Sequence, residues 1–273
     1  MGMITAVVSG KGGAGKTTFT AALGCEMARM GQRCVMVDAD LGLRSLDAVM
    51  GLENHVTYDV MDVALGLCSL RDALIRDSLH PGLYLLPASR GYGQDKLDRF
   101  SLMDICARLR DEFDQVLLDA PAGIGEGMQR VIGCCDRALV ITLPEVTSLR
   151  GAAEAARRLS ALEIPGGLIV NRYRGLSALL GHCMDLDTVC EILPLPLYGV
   201  IPEDGAVQRL QGQSRPVSDG RSAAARGIRR IAAAWIEEDK PEFRQHKPPS
   251  RGRRRIVWEQ DEQEAWSGSR SSS

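Results

Sequence analysis

The chain has 273 residues, 45% of them hydrophobic and 25% charged, and a formal net charge of −2. That is the balance of a folded protein with one large α/β domain or two small ones, and it argues against nucleic acid as the main partner, since such domains carry a strongly basic face. No apolar run approaches the roughly 18 residues a membrane span needs, and MGMITAVVSGKGG lacks the basic n-region of a signal peptide. A cytoplasmic protein is expected, peripheral at most on the inner face of a membrane.

In chain order, the apolar run Ile4–Val8 predicts a first strand, followed by a glycine-rich segment and a helix over Thr18–Met30 that stops at Gly31. Cys34–Val37, Leu83–Leu86 and Val116–Leu118 read as further strands, with a helix over Leu102–Arg110 before the last of them. Ala138–Thr142, Gly167–Val170 and Leu197–Val200 continue the series. They alternate with helices over Leu149–Leu162, stopped by Pro165, and Ala223–Glu237. Most of the strand runs are apolar without polar alternation, which suits burial on both faces of a parallel sheet. The expected fold is therefore α/β, a doubly wound and mostly parallel sheet with helices on both faces and ligands at the carboxyl ends of the strands.

From Lys240 the pattern gives way to proline, serine and blocks of charge. Residues 1–239 are read as one phosphate-loop domain and 240–273 as a flexible charged tail. Within the tail, 251–266 is a candidate membrane-surface segment. Arg253–Arg255 adjoin Ile256, Val257 and Trp258, but the acidic run Glu259–Glu264 would be repelled by anionic lipid. The eight cysteines are scattered without a C-x-x-C pair, so buried, reduced thiols are expected.

GKGGAGKT, Gly10–Thr17, matches G-x-x-x-x-G-K-[ST] between a predicted strand and a predicted helix, the context that gives the motif its meaning. Gly10, Gly12, Gly13 and Gly15, with Lys11 and Ala14 between them, let the backbone curl so that its N–H groups face one anion. The helix N-terminus at Thr17 and Thr18 adds its positive end. Lys16 is placed to reach the β- and γ-phosphates, and the Thr17 hydroxyl to ligate Mg²⁺, which keeps most of its waters. The metal shell calls for a carboxylate at a nearby strand end. VLLDAPAGIG offers Asp119, and VMVDADLGL offers Asp38 and Asp40. These two lie on the same side of an extended chain, one to support the metal and the other to orient a water. An acidic turn capping the next helix is the alternative.

KGGAGKTT resembles the deviant Walker A motif, which has a lysine near the loop's start as well as its end. VDADLGLRSLDAVMGL, LYLLPAS, LLDAPAGIG, TLPEVTSLR, IVNRY and GVIPED follow in the order of the MinD branch of the MinD/ParA ATPases. The resemblance implies an ATPase using ATP and Mg²⁺ that dimerises on the nucleotide and hydrolyses it slowly, under a partner's stimulation, to select a division site or position cargo. It implies that Lys11 crosses the dimer interface to the partner's nucleotide, that Lys16 and Thr17 serve their own, and that Asp40 and Asp119 are the switch I and switch II aspartates. It also implies that Asn171 and Pro202 flank the adenine base. Both follow predicted strands, on the side where a base would sit; turn chemistry alone is the other reading.

Gly151, Ala152 and Ala153 depart from the family, whose helix usually carries aspartates there, on a face that contributes to partner binding. The ending also differs from the family's short amphipathic helix. The alternative function is a ParA-like partition ATPase that binds DNA non-specifically, with Arg215, Arg221, Arg226, Arg229 and Arg230 as its basic strip. An iron–sulfur carrier on the same fold would need paired cysteines, and a non-catalytic nucleotide-dependent scaffold is a further class.

Overall fold

The computed structural model describes residues 1–41, 43–91, 96–175 and 183–237. The expectations for 240–273, including the segment 251–266, lie outside them.

Eight strands form one sheet: β1 (Met3–Val8), β2 (Cys34–Asp38), β3 (Ile75–Arg76), β4 (Leu83–Leu86), β5 (Gln115–Asp119), β6 (Arg137–Thr142), β7 (Gly166–Tyr173) and β8 (Leu197–Pro202). Their order is β3-β4-β2-β5-β1-β6-β7-β8. Every pairing is parallel except that of β3 with β4. The seven strand runs read from the sequence all fall in this sheet. β3 escaped because two residues carry no periodicity. Every residue of β2, β5 and β6 is buried, which is why their sequences show no polar alternation.

Alternate side chains of each strand feed two cores, one on each face. Ile4, Ala6 and Val8 of β1 join Val35 and Val37 of β2 on one side. Val7, Met36, Leu117 and Leu139 fill the other. The first core is covered by α5 (Arg99–Glu112), α6 (Glu126–Ile132) and α7 (Val146–Ala161), the second by α1 (Lys16–Arg29) and α10 (Ala223–Glu237). α7 starts at Val146, earlier than the predicted Leu149, because its polar first turn hides the apolar period. The short helices α2 (Leu46–Met50), α3 (Val60–Ala64), α4 (Leu70–Ala73), α8 (Leu186–Ile192) and α9 (Gly205–Gln211) are too brief for a periodic signal. Two of them did carry a legible start. Asp59 with Asp62 and Ser69 with Asp72 form reciprocal caps.

Two polar features tie α10 to the rest. In the first, the Thr5 hydroxyl of β1 accepts from Arg137 Nε at 3.1 Å and from Trp235 Nε1 at 3.2 Å. The Arg137 guanidinium also lies 4.2 Å from the centre of the Trp235 ring and donates to the Trp235 carbonyl. Burying a charge here is tolerable because the guanidinium is hydrogen-bonded and stacked. In the second, Glu26 accepts from Arg29 at 2.8 Å and from Arg229 at 3.1 Å. Arg29 also reaches Asp219, whose Oδ1 lies 2.9 Å from His80 Nε2, and His80 Nδ1 lies 3.1 Å from Asp77 Oδ2.

Candidate functional site

The carboxyl ends of β1, β2, β5, β7 and β8 open on one edge of the sheet. β1 sits where the order reverses, with β5 on one side and β6 on the other. That is the crevice in which open α/β sheets bind ligands. Gly10–Thr17 leaves β1 there and runs into α1. Gly15 is its N-cap at φ 93°, and Gly13 stands at φ 77°. Those two glycines supply the left-handed turns. Gly10 is not among the positive-φ residues; it serves a close approach instead. A Cβ there would stand 2.1 Å from the backbone of Gly151 on α7.

The loop's two lysines part company. Lys16 is buried beneath the loop, and its charge acts on Asp119. Lys11 is half exposed, its Nζ 3.2 Å from Glu145 Oε2 and 3.1 Å from Thr147 Oγ1.

Asp119 ends β5 fully buried. Its Oδ2 accepts from the Thr17 hydroxyl at 2.6 Å and its Oδ1 from Thr20 at 3.0 Å. Ser45 Oγ lies 3.4 Å from Thr17 Oγ1. This cluster of hydroxyl and carboxylate oxygens at a helix N-terminus is the hard donor set that suits Mg²⁺ with retained waters. Asp38 is the register partner of Asp119 across β2 and β5. Its oxygens are engaged locally, Oδ1 by the Asp40 N–H at 3.0 Å and Oδ2 by the N–H groups of Ser45 at 3.1 Å and Leu46 at 3.0 Å. Asp38 thus ties down the start of α2. Burial pushes both carboxyls upward, and the charge of Asp119 adds to the rise at Asp38. At Asp119 the charge of Lys16 and the two threonine hydroxyls pull the other way. Asp40 is buried just past the end of β2.

Beyond Gly15 lies a cavity of about 330 Å³ lined by Thr18, Phe19, Asn171, Pro202, Gln208 and Gln211 among others. Asn171 and Pro202 therefore share it with the end of the loop. Asn171 also braces the loop, donating through Nδ2 to the Ala14 carbonyl at 2.8 Å. Gln211 closes one side by donating to Thr18 Oγ1 at 2.7 Å.

Sequence reading missed Thr20, Ser45, Glu145, Thr147 and Gln211. Thr20 had a signal, since it sits three residues after Thr17 on one helix face. Ser45, Glu145 and Thr147 lie in stretches that carry the family resemblance, VDADLGLRSLDAVMGL and TLPEVTSLR, but only the fold brings them to the loop; Gln211 had no signal. Part of the arginine strip is engaged within the fold. Arg229 bonds Glu26 and the carbonyls of Ser218 and Gly220, Arg215 pairs with Asp219, and Arg226 donates to the Arg221 carbonyl. Among the described residues no helix is long and apolar enough to cross a membrane.

The family model of the CobQ/CobB/MinD/ParA nucleotide-binding domain matches residues 5–217. The septum site-determining protein MinD of Bacillus subtilis is 36% identical over 245 residues, covering 88% of this chain and 91% of that protein. The MinD of an Aquifex aeolicus MinC:MinD complex superposes with a TM-score of 0.80 at 30% identity, over 91% of this chain and 99% of that one. MinD from Pyrococcus horikoshii, complexed with Mg-ADP, gives a TM-score of 0.79 at 29% identity, over 88% and 97%.

Proposed function

The chain belongs to the MinD branch of the CobQ/CobB/MinD/ParA nucleotide-binding ATPases, and from that premise we propose an ATP-gated homodimer whose hydrolysis ends each round of division-site positioning. The observation that carries the proposal is the divergence of the two loop lysines. Lys16 is buried, close enough for its charge to act on Asp119, while Lys11 stays at the surface on Glu145 and Thr147. A phosphate cradle needs one lysine. A second one, exposed and lightly held, suits a nucleotide that another protomer brings.

In this reading the N–H groups of Gly12–Thr18 and the Lys16 ammonium hold the phosphates, with Asn171 and Pro202 against the base. The fit of Mg-ADP to the Pyrococcus relative supports the same occupants here. Thr17 and Asp119 would hold the metal. Bound Mg²⁺ would supply compact positive charge to the β- and γ-phosphate oxygens. Asp38 fixes the switch segment that carries Asp40, and Asp40 orients the attacking water. Lys11 leaves Glu145 and donates to charge developing on the partner's γ-phosphate. Catalysis is then positioning and electrostatics, so turnover is slow and open to stimulation by a regulator. The MinC:MinD complex of the Aquifex relative supports a protein partner. Residence at a membrane surface would come from the tail, two copies in a dimer binding by avidity where one is marginal.

The Lys11→Ala variant tests this. Nucleotide affinity should hold while ATP-dependent dimerisation, read by light scattering, and hydrolysis disappear. Persistent ATP dimers would remove the cross-protomer role.

A further inference from the structure

We propose that Gly151 is a positioning residue for the nucleotide: from α7 it sets where the phosphate loop lies, by backing the main chain of Gly10. This rests on the reading of the loop as the ATP site.

The contact is backbone on backbone. A Cβ added at Gly151 would stand 2.6 Å from Gly10 Cα and 2.7 Å from its carbonyl carbon and oxygen. No flexible side chain is there to move aside. Neither glycine is among those with positive φ, so the missing Cβ, and not an unusual backbone turn, is what the position requires.

The helix is the firmer of the two bodies. α7 buries Leu149, Ala152, Ala155, Ala156 and Leu159 in the core, whereas the loop is a run of glycines. An added methyl is therefore relieved by displacement of the loop, because close-packed interiors resist repacking. The same end of α7 carries Glu145 and Thr147, which hold Lys11. It thus fixes two adjacent loop residues, Gly10 through its main chain and Lys11 through its side chain.

The test is Gly151→Ala in the full chain, with a fluorescent ADP analogue and ATP as probes and binding measured well below both melting temperatures. The Kd for ADP and the KM for ATP should each rise about tenfold, the scale of an overpacking strain taken up by the loop. Saturated kcat should stay within about twofold, since the cost falls on binding. Tm without nucleotide should not fall, because alanine is the better helix former. A raised Kd and KM with Tm held support the proposal, whereas the same rise with a lower Tm overturns it, because the strain is then general and not confined to the loop. An unchanged Kd, a lower kcat at unchanged KM, or loss of the folded state overturns it. A wild-type chain that binds no adenine nucleotide would instead overturn the ATPase reading.

Discussion

Lys11 is held within its own subunit by Glu145, Nζ to Oε2 at 3.2 Å. The side chains are 43% and 56% exposed, so the pair is worth only about 0–1 kcal/mol. A contact that weak keeps the lysine from wandering and costs little to break.

Glu145→Gln should therefore leave the unfolding free energy of the nucleotide-free protein within about 1 kcal/mol of wild type. ATP-dependent dimerisation should become tighter, because Lys11 no longer has to abandon an intramolecular partner. Analytical ultracentrifugation across protein concentration reads both states, and a weaker dimer would mean that Glu145 itself acts across the interface.

Thr20→Val keeps the volume of a fully buried residue and deletes the donor to Asp119 Oδ1. A buried carboxylate oxygen left short of a partner costs about 1–3 kcal/mol. Tm should fall by a few degrees. The Mg²⁺-dependent part of nucleotide affinity should fall too, as Asp119 turns away from Thr17, while ADP affinity in EDTA stays near wild type. Calorimetric titration with and without Mg²⁺ separates the two effects.

His80 gives the fold a pH dependence. Its hydrogen bond to Asp77 comes first, and with Cys25 and Asp219 it pushes the imidazole up to about 10 against burial. Arg29 lies beside the ring, Glu26, Arg215 and Arg229 close the network around Asp219, and burial pushes the Cys25 thiol up. A raised histidine stabilises the fold fully below its ordinary value near 6.5, and that contribution fades as pH climbs through about 10. Relative to wild type, His80→Gln should lose on the order of 2–4 kcal/mol at pH 7. The gap should narrow steadily towards pH 10 in urea titrations. Asp77, which is pulled below its usual range, adds a separate loss only in acid.

Deleting residues 251–273 tests the tail. If it anchors the dimer, co-sedimentation with anionic liposomes in ATP should drop to the level seen in ADP. Unchanged binding would place membrane contact elsewhere on the protein.

The sheet and the loop were legible because their signals are local: unbroken apolar runs, and a glycine motif flanked by a strand and a helix. What Asp38 does was less so. Alternation puts it on the same side as Asp40, but its partners are set by the turn after β2, which brings the N–H groups of Ser45 and Leu46 back onto it. Glu145, Thr147 and Gly151 belong to a helix far along the chain. Only folding lays its first turns against the loop, and nothing in the glycines of Gly10–Thr17 announces which one needs a neighbour without a Cβ. The arginines near α10 read as one basic strip because their acidic and carbonyl partners are spread from Glu26 to Gly220.

The Thr5–Arg137–Trp235 contact joins the two ends of the folded chain. Trp235 lies two residues before the end of α10, yet it is fastened to β1 at the middle of the sheet. The strand it fastens to, β1, is the one that runs straight into the phosphate loop. One strand thus carries both the anchorage of the last helix, at Thr5, and the start of the loop, five residues on at Gly10.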